Sequence, residues 1–154
     1  MTKFFTLFSA VVLSALVAQA SVVGNWSSDH FIYSDSDGAT SDDGAGVVKV
    51  SLDGDQLMVD WLGQALTVRD GELYFQETKV GTYAENAIVV ENMVVDAEAN
   101  DIYSFSLTLN EDDMAQFTDK YVYGDEPDYF DAYTADLVRA AEGPSRHPAF
   151  LNRR

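Results

Sequence analysis

Two histidines, His30 and His147, and no cysteine are the whole stock of the side chains that most often serve as bases, nucleophiles or zinc ligands. A serine–histidine–acid triad would have to be built on His30, and no serine lies in the glycine-flanked elbow that exposes a nucleophile. His30 therefore reads as an ordinary surface or rim residue, and His/Cys ligation of zinc is excluded by the same count. Carboxylates number 26, so the nearness of any two says little about general acid–base work. No catalytic residues are expected, and no enzyme.

Calcium is the metal that the composition leaves open. Asp35, Asp37, Asp42 and Asp43 put four carboxylates into one Ser/Gly-rich stretch, and hard cations take several oxygens. The EF-hand spacing fails, because Gly38 directly follows the second aspartate and no glutamate stands at the twelfth position. The expectation is a solvated acidic loop, with no metal and no cofactor. A second cluster is more suggestive. Between Tyr121 and Tyr133 lie Tyr121, Tyr123, Tyr129 and Tyr133 together with Asp125, Glu126, Asp128 and Asp131. Tyrosine gives flat apolar area with a hydroxyl handle, as binding surfaces use, although strands favour it too. Tyr121, Tyr123, Asp125, Tyr129, Asp131 and Tyr133 are the candidates for contact with an amine, a sugar or a basic protein loop.

The elements that must position these residues are strands. Val48, Val50 and Leu52 alternate with polar residues, and so do Leu57, Val59 and Trp61 beyond an Asp53-Gly54-Asp55 turn. Asp70-Gly71, which suits the positive φ of a tight hairpin, joins Ala65–Arg69 to a strand read over Glu72–Lys79. Ile88–Asp96 follows, interrupted by Glu91 and Asn92. Asp101–Leu109 has Tyr103, Phe105, Leu107 and Leu109 on one face and Ser104, Ser106 and Thr108 on the other. Met114–Tyr123 and Asp128–Arg139 complete the series. Residues 34–46 and 96–100 read as exposed loops, and only 135–142 offers even one helical turn. Closely spaced hairpins without long crossovers predict an all-β, antiparallel up-and-down meander closing into a barrel of about eight or nine strands.

One domain is expected, over residues 21–142. Ahead of it, Lys3, an apolar run from Phe4 to Val17 and Ala18-Gln19-Ala20 form a secretory signal peptide over residues 1–20. The run is shorter than the roughly 20 residues that span a bilayer, and there is no cysteine for a lipid, so no membrane span or anchor is expected. A periplasmic or secreted protein follows, held by its core alone. Residues 143–154 carry Arg146, Arg153 and Arg154 without an acid and read as a disordered basic tail. The net charge of −17 makes nucleic acid an unfit partner, since affinity there comes from neutralising phosphates. The same field would speed encounter with a cationic partner.

Gly24-Asn25-Trp26 near the start, a meander after it and Arg139 at the end of the last strand resemble the lipocalin-like (calycin) barrels. Thr118-Asp119-Lys120-Tyr121 approaches that family's middle Thr-Asp-Tyr motif, with one extra residue before the tyrosine. The resemblance implies that Trp26 lies across the closed end and that Arg139 packs on its indole, a structural closure. If the two alternating faces both point inward, Leu57, Val59, Trp61, Tyr103, Phe105 and Leu107 are the lumen candidates, in an interior that a barrel of about eight strands either packs with side chains or opens to one small ligand. The function expected is non-catalytic binding of a small apolar or amphipathic ligand. Alternatives are an acidic module capping a basic protein, of the kind that inhibits lysozyme, or an envelope protein without a ligand.

Overall fold

In the computed structural model the described residues are 20–111 and 113–141. The signal peptide expected over 1–20, Ala20 apart, and the basic tail over 143–154 lie outside them. Every regular element among the described residues is a β-strand, and among them no helix is long and apolar enough to cross a membrane. The strands are β1 (Gly24–Ser28), β2 (Ile32–Asp35), β3 (Thr40–Asp42), β4 (Gly46–Asp53), β5 (Gln56–Val59), β6 (Gln64–Arg69), β7 (Glu72–Phe75), β8 (Thr78–Ala84), β9 (Ala87–Asp96), β10 (Asp101–Glu111), β11 (Met114–Val122) and β12 (Phe130–Arg139).

Each neighbour in the chain from β4 to β12 pairs antiparallel, and β1 bonds both β4 and β12, which closes the ring. The barrel has ten staves, with β2 and β3 as two extra strands. β2 continues the line of β1 along β12, whose Arg139 and Val138 face β1 while residues 131–134 face β2. Closure leaves the staves without a free edge, the usual site of unwanted pairing.

This is more strands than the sequence spacing predicts, for two reasons. Glu72–Lys79 is not one strand: Gln76 and Glu77 both take positive φ, 46° and 65°, and turn β7 into β8. Neither residue type signals such a turn. Residues 34–46 are also more ordered than a loop, because Tyr33 pairs with Ser41 and Ser34 with Thr40 in the β2–β3 hairpin. The break at Glu91-Asn92 is a bulge. Asn92 has φ 56°, and Tyr103 pairs with Met93 while Phe105 pairs with Val90. The extra residue resets the alternation so that Val90 and Met93 both point inward and are buried. β12 stays extended to Arg139, with no helical turn through residue 141.

One end is sealed. β4 runs from Gly46, opposite Ser28, towards Val50, opposite Gly24, so the β4–β5, β6–β7, β8–β9 and β10–β11 turns gather at the Gly24 end. Val22 crosses this end fully buried, its N–H donating to the Glu85 carbonyl of the β8–β9 turn at 2.7 Å. Trp26 is also fully buried and donates from Nε1 to the Val22 carbonyl at 2.8 Å. The Arg139 guanidinium carbon lies 4.2 Å from the centre of the Trp26 ring. A Cβ on Gly24 would sit 2.7 Å from Arg139 Nη1, so the guanidinium can reach the indole only over a glycine.

Candidate functional site

Because strand side chains alternate, the inward residues of β10, β11, β12 and β2 can be followed up the barrel axis. Leu107, Phe117 and Ala135 share one level, since Leu107 pairs with Phe117 and Phe117 with Ala135. Above them come Phe105, Asp119, Tyr133 and Tyr33, again register partners in turn. Higher still are Tyr103, Tyr121, Asp131 and Asp35. The interior therefore passes from hydrocarbon at the sealed end to a layered set of tyrosines and aspartates at the open end.

The lower barrel is packed with apolar side chains. Leu57, Val59, Phe105 and Leu107, all lumen candidates, are buried in the packed core with Leu66, Leu73 and Leu137. Aromatic rings fill the middle. Phe31 stacks on Trp61 at 5.1 Å between centres, and Phe117 meets Trp61 edge-on at 4.8 Å and Phe31 at 5.7 Å. Trp61 belongs to the turn after β5 rather than to the strand, and from there it folds into the barrel from the open side.

Above this plug is a cavity of about 200 Å³. Trp61, Tyr103, Tyr121, Tyr133, Asp119 and Asp131 line it, with Met93 and Val95 among the apolar walls. Of the lumen candidates the structure thus brings Trp61 and Tyr103 to the cavity. From the tyrosine–acid hairpin it brings Tyr121, Asp131 and Tyr133. Tyr123 stands behind Asp131, donating to it at 2.6 Å, and Tyr129 is more than a third exposed, its ring 5.8 Å from that of Tyr123. Asp125 is exposed on the β11–β12 connection, away from the cavity lining.

The carboxylates are held by neutral donors. Asp119 Oδ2 accepts from Trp61 Nε1 at 2.5 Å and from the Tyr103 hydroxyl at 2.8 Å, while Oδ1 accepts from the Tyr133 N–H at 2.8 Å. Burial is the main influence on Asp119 and pushes its pKa up to about 6, against the lowering effect of those three bonds. Asp131 accepts from the hydroxyls of Tyr33 at 2.5 Å and Tyr123 at 2.6 Å. The bond to Asp131, reinforced by burial, raises both phenols, Tyr123 to about 12 and Tyr33 further. Tyr121 donates to Asp101, which also accepts from the Gly124 N–H at 2.9 Å. Tyr133 donates to Asp43 at 2.6 Å; burial first, and this bond second, lift its pKa well above that of a free phenol. Burial does the same for Tyr103. At neutral pH the phenols of Tyr33, Tyr103, Tyr123 and Tyr133 are uncharged donors.

Three of the four calcium candidates are otherwise engaged. Asp35 Oδ1 accepts from the N–H groups of Asp37 and Ala39, shaping the β2–β3 turn. Asp42 accepts from the Gly44 N–H and lies 2.6 Å from His30 Nδ1 in an exposed pair, and Asp43 holds Ser41 and Tyr133. Asp37 is exposed in the turn itself. Among the described residues no three His, Cys, Asp or Glu side chains converge in a manner that would hold a metal ion.

Asp119, Tyr33 and Phe31 are site residues that sequence reasoning missed. For Asp119 a signal existed: it alternates in phase with Ala115, Phe117 and Tyr121, which makes it a lone acid on an inward face. Tyr33 and Phe31 sit in short segments where two or three residues establish no period.

Fold and site together define a closed antiparallel β-barrel, filled at one end and polar-mouthed at the other. No family model matches the chain, and no curated protein matches it in sequence. Among solved structures, a protein of unknown function from the DUF3598 family of Nostoc punctiforme PCC 73102 is similar at a TM-score of 0.55 and 12% identity, over 77% of this chain and 48% of its own. The chain thus spans about half the length of that protein. A redesigned beta barrel (TM-score 0.36, 21% identity, 77% of this chain and 91% of its own) and EF1p2_mFAP2b bound to DFHBI (0.38, 12%, 77% and 93%) are further likenesses. At such identities likeness concerns the fold alone.

Proposed function

We propose that this chain is an exported, non-catalytic barrel of lipocalin-like build that binds one small amphipathic molecule in its open mouth. The observation that carries the reading is the cavity of about 200 Å³ whose floor is Trp61 and whose walls mix tyrosine rings with carboxylates. Concave apolar sites with a few convergent polar groups are where small molecules bind. A space of this size suits a single ring with a short side chain rather than a long acyl chain. The packed layer of Phe31, Phe117 and Phe105 beneath it argues the same way. Gly24, Trp26 and Arg139 support the lipocalin-like assignment, and the residue pattern of 1–20 supports export.

The test is direct. Tryptophan fluorescence should shift saturably with single-ring probes, since of the two tryptophans Trp61 lines the cavity, and native mass spectrometry of freshly isolated protein should reveal a bound small molecule. No saturable response to neutral, anionic or cationic single-ring probes up to millimolar concentration would end the reading. Export is checked separately by N-terminal sequencing of protein recovered outside the cytoplasm, which should begin at Ser21.

A further inference from the structure

We infer that the mouth cavity selects an organic ammonium ion, its charged head accepted by Asp131 and its body laid on the rings of Trp61, Tyr103, Tyr121 and Tyr133. This rests on the reading of the cavity as a ligand site and adds the chemical class of the ligand. The first ground is that, among the described residues, only neutral groups meet the charge. Asp119 and Asp131 both face the cavity, and every hydrogen bond described for them comes from a neutral group: an indole, three phenols and a backbone N–H. No lysine or arginine is among the lining residues that are described. An anion entering would meet two carboxylates at close quarters, and a neutral molecule would leave their field unused.

The second ground is acceptor capacity. A carboxylate offers about four lone-pair positions. Asp119 uses three, on the Trp61, Tyr103 and Tyr133 donors. Asp131 uses one on each oxygen, for Tyr33 and Tyr123, so a further N–H donor can be received at either. An ammonium group has donors to give and nothing to accept. The third ground is the wall itself. Four aromatic side chains line the space, and the negative faces of such rings attract a cation, more strongly when water is excluded. A bare divalent metal would want six or more oxygens instead. The combination fits a charged amine with an apolar body.

The experiment compares three ligands that share a ring and chain and differ only in the head: 2-phenylethylamine, 2-phenylethanol and 3-phenylpropionate. Tryptophan fluorescence and calorimetry on the wild-type chain at pH 7 and low salt read the affinities. The amine should bind at least about tenfold more tightly than the alcohol, and the carboxylate should not saturate. Asp131→Asn should bring the amine to within about twofold of the alcohol while the alcohol's own affinity holds. Tyr123→Phe, which keeps the charge and removes one phenol donor, should retain the wild-type preference. Equal binding of amine and alcohol, or preference for the carboxylate, would overturn the ammonium assignment and leave the cavity a ligand site. Binding of none of the three would remove the site with it. An amine preference unchanged in Asp131→Asn, or lost equally in Tyr123→Phe, would overturn the role of the Asp131 charge. The wild-type comparison decides the ligand class even if a variant fails to fold.

Discussion

Arg139 covers Trp26 and at the same time ties down the segment that passes over it. Its guanidinium carbon is 4.2 Å from the indole centre, Nη2 donates to the Ser21 carbonyl at 2.7 Å, and Nη1 donates to that of Val23 at 3.3 Å. The two residues are also register partners across the β1–β12 seam. Trp26→Ala should therefore cost about 3–5 kcal/mol, the usual range for emptying a large aromatic site. Arg139→Met keeps an aliphatic cover on the ring but loses the bonds to both carbonyls, and about 1–3 kcal/mol is expected. Urea midpoints read both. A loss under about 1 kcal/mol for Trp26→Ala would mean that the sealed end does not hold the barrel shut.

Asp119 gives the barrel an unusual dependence on pH. Burial raises its folded pKa to about 6, whereas the unfolded carboxyl titrates near 3.9. Between these values the folded chain holds a proton that the unfolded chain has released. Stability from this group is complete below about pH 4 and falls as pH rises through 6, by up to about 3 kcal/mol. Asp119→Asn removes that slope. It also turns an amide N–H₂ towards either the Trp61 or the Tyr133 donor, a constant penalty of about 1–3 kcal/mol. The stability of wild type minus that of Asp119→Asn, measured from pH 4 to pH 7, should decline with pH. A flat difference would show that Asp119 ionises like an exposed carboxylate.

How far the sequence could be read depended on how local each cause was. β4, β10, β11 and the hairpin at Asp70-Gly71 were legible because period-two alternation and turn chemistry act over a few residues. Trp26 and Arg139 could be proposed as partners only through a resemblance, since they lie at opposite ends of the domain. The turn at Gln76-Glu77 was not legible: its positive φ values are imposed by the pairing of β7 with β8, against local preference. Nor was the state of the lumen, because the alternating residues that line a cavity are the same ones that fill a core. Phe31, isolated between His30 and Ile32, decides that question and carries no pattern.

Gly81 lies hard against the backbone of β9. A Cβ there would lie 1.9 Å from the Val89 carbonyl oxygen and 2.9 Å from Val90 Cα, both backbone atoms that no rotamer change can move. Gly81→Ala must push apart two strands whose pairing runs from Gly81–Val90 to Ala84–Ala87. A loss of about 3 kcal/mol or more is expected, despite the addition of a single methyl group. A urea midpoint within error of the wild type would show that the β8–β9 spacing is set elsewhere.

Phe31 separates the mouth from the lower barrel. Its ring is fully buried, stacked on Trp61 and edge-on to Phe117, and it lies so close over Gly46 that a Cβ there would be 2.7 Å from Phe31 Cε2. Phe31→Ala should cost about 3–5 kcal/mol and leave a void beneath Trp61 that joins the mouth cavity. Phe31→Leu should cost about 1–2 kcal/mol and leave the division in place. A bulky neutral fluorophore such as N-phenyl-1-naphthylamine is too large for 200 Å³ shared with Trp61 and the tyrosines. It should stay dim with wild type and Phe31→Leu and brighten saturably with Phe31→Ala, read in conditions where circular dichroism shows all three folded. Brightening with wild type would mean that Trp61 and Phe31 swing aside to open the lumen, so that ligand size is not limited by the aromatic layer.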